Sequence, residues 1–193
     1  RSTPKPSSAA SDVYKRQMLA CPTKAISEGK REVGEMFLGK IKENLFFSYA
    51  RMNVSEARAT PLISYLEKNL KRDVDFIIFD SPPGASCPMV EVVKDADYVI
   101  LVTEPTPFGL FDLKIAYEVV KEIGKKAGLV INKSGENDYI IEEFAEKEDI
   151  DVILKIPFSM EFAKEYSSGR ITLEYFLDLE ERILTLFKEN GSV

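Results

Sequence analysis

The sequence predicts an α/β fold in which a mostly parallel β-sheet is flanked by helices. Four short apolar runs have the length and composition of strands that are buried on both faces of a parallel sheet. Amphipathic helical patterns at residues 110–124 and 137–148 separate the last three runs, and parallel strands require crossovers of this kind. The apolar runs are residues 76–79, 98–103, 128–132 and 152–156.

Turn and capping residues predict the remaining elements. Residues 33–51 alternate loosely between apolar and polar side chains, which favours a β-hairpin. The Thr60-Pro61 pair predicts a helix start, with Thr60 as the N-cap and proline in the first turn. Gly124 is expected to end the helix at 110–124. Two further helices are predicted, at residues 160–167 and 173–190.

Composition restricts the functions that the chain can have. The 193 residues include no histidine, which excludes Ser-His-Asp and Cys-His catalysis and histidine-ligated zinc within the chain. The formal net charge of −6 argues against a general nucleic-acid binder. No apolar run reaches the roughly 18 residues that a membrane span needs. Two cysteines are too few for a disulfide framework, so we expect a reducing, cytoplasmic location.

Residues 1–17 differ from the rest of the chain. They are rich in Ser, Pro and Ala, have no hydrophobic periodicity, and lack the apolar core of a signal peptide. Back-translation of residues 12–17 gives a DNA sequence that resembles a transposon-end adapter used in sequencing libraries. We therefore expect a non-native or disordered tail, with native sequence beginning near Met18.

Asp80 is the candidate catalytic and metal-binding residue. It directly follows the apolar run at 76–79, so it is expected at the carboxyl edge of the sheet, where open α/β folds bind ligands. A nucleotide-hydrolysing site needs a carboxylate for Mg²⁺ and a backbone that approaches the γ-phosphate closely. Gly84, which has no side chain, is the candidate for the second role. The structural alternative is an aspartate that caps the turn after a strand.

Three residues at the ends of the later strands are candidates for binding a base. The amide of Asn132 offers the one donor and one acceptor that a purine edge requires. Pro157 and Phe158 follow the next strand and could pack on the base ring. Each signal is weak alone, because Asn and Pro are common loop residues. All three are expected on the same sheet edge as Asp80.

Residues 34–40 match the spacing G-x-x-x-x-G-K of a phosphate-binding loop. Ile41 stands where the Mg²⁺-binding Ser or Thr should be, Glu35 would bring negative charge into an anion site, and no buried strand precedes the stretch. We therefore interpret it as a hairpin strand.

Cys21-Pro22 can be interpreted in two ways. A lone Cys-Pro is usually structural, but the same pair closes the ferredoxin run C-x₂-C-x₂-C-x₃-C-P, in which cysteines ligate an iron–sulfur cluster. Cys87 is expected to be a small buried residue rather than a ligand.

Taken together, the sequence resembles the MinD/ParA/Mrp group of deviant P-loop ATPases, and most closely the branch with an inserted ferredoxin domain. The resemblance covers about residues 20–193. It implies a P-loop NTPase-like sheet, with residues 18–27 as the end of the ferredoxin insert and residues 28–193 as the C-terminal part of the ATPase domain. The stretches that carry it are ACPTKAI, EARATPLI, DFIIFDSPPGASCPMVE, DYVILVTEPTPFGLFDLKIA, GLVINKSG and ILKIPFS.

The resemblance also implies roles for the candidate residues. Asp80 resembles the Walker B-type acid that holds Mg²⁺ through water, and Gly84 belongs to the switch loop near the γ-phosphate. Asn132 resembles the adenine-reading asparagine, and Pro157-Phe158 resembles the loop that flanks the base.

By the same resemblance, Cys21 is the last cysteine of the second 4Fe-4S motif. ATP, Mg²⁺ and a 4Fe-4S cluster are the implied cofactors of the full-length protein. The implied assembly is a homodimer that couples ATP hydrolysis to iron–sulfur or electron handling, with an iron–sulfur or redox protein as partner.

The chain departs from this family in one large respect. The family's phosphate loop, K-G-G-x-G-K-S/T, lies before the ferredoxin insert and does not occur in this sequence. The strand that bears it in relatives lies between those equivalent to residues 76–79 and 98–103. We therefore expect a C-terminal fragment that lacks the Walker A strand and has no ATPase activity alone. The alternative is a non-hydrolysing ATPase-like domain for binding or scaffolding.

Overall fold

A computed structural model describes residues 16–27, 31–170, 181 and 184–185. The chain divides into two compact units, Arg1–Asp95 and Ala96–Val193. Most of the predicted tail at 1–17 and of the predicted helix at 173–190 lies outside the described residues. Within the described part, none of the helices is both long and apolar enough to cross a bilayer.

The first unit begins with an antiparallel hairpin of strands β1 (Gly34–Lys42) and β2 (Leu45–Met52). Gly34 pairs with Met52, and a Cβ at Gly34 would collide with the carbonyl oxygen of Arg51. The hairpin predicted from the alternating pattern is confirmed. Because residues 34–40 lie in β1, their G-x-x-x-x-G-K spacing is that of a strand and not of a phosphate-binding loop.

Two helices complete the described core of this unit, α1 (Thr60–Lys68) and α2 (Cys87–Asp95). The predicted start of α1 is confirmed, including the proline in its first turn. The predicted N-cap is wrong: Ala59 occupies the cap position, and no side chain caps the helix. The helices contact one another, and their buried apolar side chains are Leu62, Met89, Val92 and Val93.

The strand predicted at residues 76–79 is not formed. The segment joins neither the β1–β2 sheet nor the other sheet among the described strands. Phe76 and Ile78 are exposed, Ile78 to 84%. Its apolar composition suits a strand, but a strand is stabilised only by a ladder with a neighbour.

The second unit contains the predicted βαβ series. Strands β3 (Tyr98–Thr103), β4 (Lys126–Ser134) and β5 (Val152–Pro157) form a parallel sheet in the order β3-β4-β5. The sequence pattern predicted all three strands. Their register places the carboxyl ends of the strands side by side, where polar side chains of different strands can meet.

Helices α3 (Pro107–Ile123) and α4 (Tyr139–Glu148) are the crossovers, and α5 (Met160–Ser167) follows β5. Gly124 ends α3 in the left-handed conformation, at φ 78°, as predicted for a C-terminal glycine. The side chains that are almost fully buried in this unit are Val120, Leu129, Ile131 and Ile141.

Candidate functional site

Asp80 and Gly84 lie on the segment that leads into α2. Asp80 is exposed, and the hydroxyl of Ser81 donates to the carbonyl oxygen of Pro82 at 3.3 Å. Gly84 has φ 79°, a left-handed conformation that favours glycine. Apart from Gly84 itself and its two chain neighbours, no heavy atom of the described residues lies within 4 Å of the position that a Cβ of Gly84 would take. The backbone at Gly84 is therefore open to close approach by a ligand.

The surroundings of Asp80 fit Mg²⁺ only together with a phosphate ligand. No group of three or more acidic or thiol side chains is arranged around a metal position in the described part of the chain. Mg²⁺ is often held by one or two carboxylates, with substrate phosphates and water completing its octahedral shell. Asp80 can supply one such carboxylate.

Asn132, Pro157 and Phe158 lie at neighbouring strand ends in the second unit. Asn132 is in register with Ile156, and Ser134 is in register with Pro157. Asn132 is half-buried, whereas Pro157 and Phe158 are exposed. The structure thus brings these three together at one sheet edge. Asp80 belongs to the other unit, so its place beside this edge stays a prediction, as does the binding of a base.

The β4 end carries a bulge that the sequence did not reveal. The ladder with β5 shifts register between Asn132 and Ser134, which leaves Lys133 as the extra residue. Lys133 has φ 54°, an uncommon conformation for a residue with a side chain. Its ammonium group lies 2.7 Å from Oε1 of Glu104, which directly follows β3. The pair connects the ends of β3 and β4.

Asp138 closes the turn after this bulge. Its Oδ2 accepts a hydrogen bond from the Ser134 hydroxyl at 2.7 Å, and its Oδ1 accepts one from the Gly135 backbone N–H at 2.8 Å. Although Asp138 occupies the N-cap position of α4, its carboxylate does not cap that helix. The carboxylate instead accepts hydrogen bonds from the loop that precedes the helix, at Ser134 and Gly135.

Lys155 of β5 approaches the same carboxylate. Its ammonium nitrogen lies 3.6 Å from Oδ2 of Asp138 and is also paired with Glu142 of α4. Burial alone would raise the pKa of Asp138, but the hydrogen bonds from Ser134 and Gly135, together with Lys155, lower that pKa below its usual value. The hydrogen bond to Glu142 raises the pKa of Lys155. Asp138 is therefore ionised at neutral pH.

The stretch TEPTPFG after β3 forms a capping structure. Thr106 is the N-cap of α3, and its hydroxyl oxygen accepts from the Gly109 N–H at 3.0 Å. The buried hydroxyl of Thr103 donates to the Gly109 carbonyl oxygen, also at 3.0 Å. Consequently α3 begins at Pro107, three residues before the predicted start. The Thr-Pro pair is the signal that could have predicted this.

Cys21 is half-buried in a turn. Its sulfur lies 3.5 Å from Oγ1 of Thr23, and this hydrogen bond, followed by that from the backbone of Ala25, lowers the pKa of the thiol. A lowered thiol pKa favours the thiolate form that metals bind. A 4Fe-4S cluster needs four such ligands, and the chain has two cysteines, so these residues do not fit a complete cluster.

The prediction that Cys87 is buried is wrong, because Cys87 is exposed. It is the first residue of α2, whose buried face carries Met89, Val92 and Val93. At 3.6 residues per turn, Cys87 lies roughly 200° around the helix from Met89 and so away from that face.

Two solved structures are similar to this chain. The cell division ATPase MinD of Pyrococcus furiosus matches with a TM-score of 0.55 and 23% identity over 66% of this chain and 59% of its own. The septum site-determining protein MinD of Pyrococcus horikoshii, complexed with Mg-ADP, matches with a TM-score of 0.56 and 23% identity over 69% of this chain and 60% of its own. The chain has the MinD fold. The fold class predicted from the sequence is confirmed.

Curated relatives of this MinD-fold chain are distant. An uncharacterized protein of Methanocaldococcus jannaschii is 27% identical over 76% of this chain and 51% of its own length. An iron-sulfur cluster carrier protein of Pyrococcus horikoshii is 29% identical over 67% of this chain and 53% of its own. The chain therefore spans about half the length of these relatives. No protein-family model matches the sequence.

Proposed function

We propose that this chain is the C-terminal part of a MinD/Mrp-type ATPase that binds and hydrolyses Mg²⁺-ATP in its complete form. The observation that carries the proposal is the likeness of fold to MinD, one example of which is complexed with Mg-ADP. The position of Asn132, Pro157 and Phe158 at the carboxyl ends of β4 and β5 supports it, because open α/β folds bind ligands at that edge. The complete protein is proposed to be a cytoplasmic homodimer.

Each candidate residue has a proposed part in this activity. Asp80 holds the Mg²⁺ shell through water, and the open backbone at Gly84 lies beside the γ-phosphate. The Asn132 amide donates to and accepts from the adenine edge, and Pro157 and Phe158 flank the ring. Bound Mg²⁺ supplies charge neutralisation at the phosphate oxygens. The protein's contribution is positioning, which is the main source of catalysis in phosphoryl transfer.

The phosphate-binding loop is proposed to precede this chain in the complete protein. The chain has no K-G-G-x-G-K-S/T sequence and spans about half the length of its relatives. In the family that the sequence resembles, the strand that carries the loop lies beside the strand equivalent to β3. One observation supports this part of the proposal: among the described strands β3 stands at the edge of its sheet, with Val102 63% exposed.

We also propose that the complete protein links ATP turnover to iron–sulfur or electron handling. The support is the lowered pKa of the Cys21 thiol and the likeness to an iron-sulfur cluster carrier protein. Cys21 would be one of four ligands to a 4Fe-4S cluster, with the others on a preceding ferredoxin module. A redox or iron–sulfur protein would then be the natural partner.

The ATPase proposal is tested by comparing the 193-residue chain with the same chain joined to its native upstream sequence. We expect Mg²⁺-ATP hydrolysis only in the longer protein, and a loss of about a hundredfold or more in Asp80→Asn, because that carboxylate organises the metal. Asp75→Asn is the matched control, since Asp75 and Asp80 are exposed carboxylates at opposite ends of one apolar run. The measurement is phosphate release at saturating ATP.

Two results would contradict this proposal. Turnover by the 193-residue chain that disappears in Asp80→Ala would show that no upstream loop is needed. A longer protein with an intact loop that does not bind Mg²⁺-ATP would favour the scaffold alternative.

The cluster proposal is tested by anaerobic reconstitution of the longer protein with iron and sulfide. We expect Cys21→Ser to lose or shift the absorbance of one 4Fe-4S cluster, because oxygen replaces a thiolate ligand. Cys87→Ser is the control and should leave the spectrum unchanged. A reconstituted protein without iron absorbance would refute the ferredoxin module.

A further inference from the structure

The β-bulge after Asn132 is fixed from two sides. On the β3 side, Glu104 pairs with Lys133 at 2.7 Å. On the β5 side, Asp138 binds Ser134 and Gly135, and Lys155 lies 3.6 Å from that carboxylate. Ion pairs of exposed residues contribute little to stability singly. We therefore interpret these contacts as holding one conformation of the loop, and not as a large contribution to the stability of the whole protein.

Asn132 directly precedes the bulge. It is the last β4 residue in regular register with β5, and the extra residue that follows it changes the course of the strand. Bulges next to functional sites commonly re-aim a side chain in this way. No described residue forms a hydrogen bond with the Asn132 amide, so its own contacts do not hold it in place. Its direction must come from the backbone.

The backbone at the bulge is under strain. A left-handed φ is unfavourable for a lysine and persists only where the surroundings enforce it. Asp138 is the residue best placed to enforce it, because it binds the two residues that directly follow Lys133 and is itself buried. Loss of its carboxylate would let the turn relax.

We propose that Asp138 is a positioning residue that holds the Lys133 bulge closed and thereby aims the Asn132 amide at a purine base. The inference rests on the proposed function, since it concerns the same nucleotide site. The contacts of Asp138 are with the loop and with Lys155, and it is not among the residues proposed to contact the base or the phosphates. Its effect therefore falls on discrimination between bases and not on binding of the phosphate chain.

The first experiment measures dissociation constants in the longer protein for Mg²⁺-ATP, Mg²⁺-ITP and inorganic triphosphate. ITP lacks the 6-amino group of adenine, and triphosphate lacks a base. We expect Asp138→Ala to weaken ATP binding about tenfold, the size of one lost hydrogen bond, and to bring the ATP and ITP constants close together. Triphosphate binding should be unchanged. Asp138→Asn keeps acceptor oxygen and should restore part of the discrimination.

Glu142→Gln is the matched control. Glu142 pairs with the same Lys155 but has no hydrogen bond to Ser134 or Gly135. It should leave the ratio of ATP to ITP binding unchanged. An Asp138→Ala protein that keeps the wild-type ratio would overturn the inference. A wild-type protein that binds neither ATP nor triphosphate would overturn the proposed function instead.

The second experiment needs no nucleotide and uses the 193-residue chain. In Asp138→Ala, the Gly135 amide should exchange its hydrogen at least about tenfold faster, because it loses its acceptor. The side-chain NH₂ signals of Asn132 should move at the same time, whereas the core amides of Leu129 and Ile131 should not. Faster exchange at Gly135 with unmoved Asn132 signals would show that Asp138 only stabilises the turn, and the inference would fail.

Discussion

Glu67 shows how burial in the folded protein can shift the pKa of a single side chain. It lies at the end of α1, only 5% exposed, and its Oε1 accepts no hydrogen bond within the described structure. Arg72 is nearby, but its guanidinium donates to the main-chain oxygen of Glu67 and to Asp95. Burial, and then the charges of Asp95 and Glu91, raise the pKa of Glu67 to about 7.

The raised pKa of Glu67 makes the protein less stable as the pH rises. The unfolded carboxyl has a pKa of 4.5, so between pH 4.5 and about 7 the native state binds more protons than the unfolded state. The contribution that the protonated Glu67 carboxyl makes to stability is fully present below pH 4.5 and is lost as the pH rises to about 7. Arg72 and Lys68 oppose the shift but do not remove it.

Glu67→Gln should therefore stabilise the protein at high pH alone. A neutral amide avoids the buried charge, and we expect the free energy of unfolding to rise by about 1 to 2 kcal/mol at pH 8, with little change at pH 4. Urea denaturation at both pH values measures this. The exposed Glu122 of α3 is the control, since Glu122→Gln should leave the free energy of unfolding unchanged at both pH 4 and pH 8. An equal effect of Glu67→Gln at pH 4 and pH 8 would refute the assignment.

Sequence reasoning at the residue scale succeeded where backbone conformation decides the residue. Gly124 was predicted at a helix end, and it is a left-handed glycine there. Glu67 and Asp138 were missed, because their environments arise from partners that are distant in sequence or from a turn with no motif. Asp138 precedes a helix and would suggest an N-cap, which is not the role of its carboxylate.

At the scale of elements, β3, β4 and β5 were predictable because each of them pairs with at least one other strand of this chain. Residues 76–79 have the same apolar composition and form no strand. The difference is a ladder partner, which a local pattern cannot report. Helix α2 was missed although its buried residues Met89, Val92 and Val93 have the i, i+3, i+4 spacing of a helix face.

The turn from β3 into α3 has no room for a side chain at Gly109, and this predicts the sign of a substitution there. A Cβ at Gly109 would collide with the carbonyl oxygen of Glu104 and would lie 3.0 Å from Oγ1 of Thr103. Alanine normally stabilises a helix relative to glycine by roughly 0.5 to 1 kcal/mol. We expect the opposite sign for Gly109→Ala, a loss of about 2 kcal/mol, because backbone cannot move aside cheaply.

Thermal unfolding measures this effect, and Gly39→Ala in β1 is the control. The Cβ at Gly39 would meet only the Phe47 carbonyl oxygen, at an ordinary 3.6 Å. Its melting temperature should stay near that of the wild type. A Gly109→Ala protein that melts at or above the wild-type temperature would show that the turn can rearrange.

At the scale of the whole molecule, the MinD fold was predictable and the complete nucleotide site was not. The order of strands and crossovers follows from the strand period of two and the helix period of 3.6 residues, and the stretches around Asp80 and Glu104 resemble those of the MinD/ParA/Mrp group. The proposed nucleotide site also needs a phosphate loop, and the K-G-G-x-G-K-S/T pattern of that loop does not occur in this sequence. Asp80 and Asn132 can therefore be named singly, but no local pattern fixes the geometry between them.

The β1–β2 hairpin is expected to form earlier during folding than the parallel β3-β4-β5 sheet. Only Glu43 and Asn44 separate its strands, and the rings of Phe37 and Tyr49 stack across it at 4.7 Å. Hairpins close in about 1 to 10 μs, whereas the β3-β4-β5 ladder must wait for two helical crossovers. The chain has no tryptophan, so tyrosine dominates its emission. Tyr49 is one of eight tyrosines, and the change that its stacking on Phe37 makes in the total emission would be the first to develop, before the edge that carries Asn132 exists.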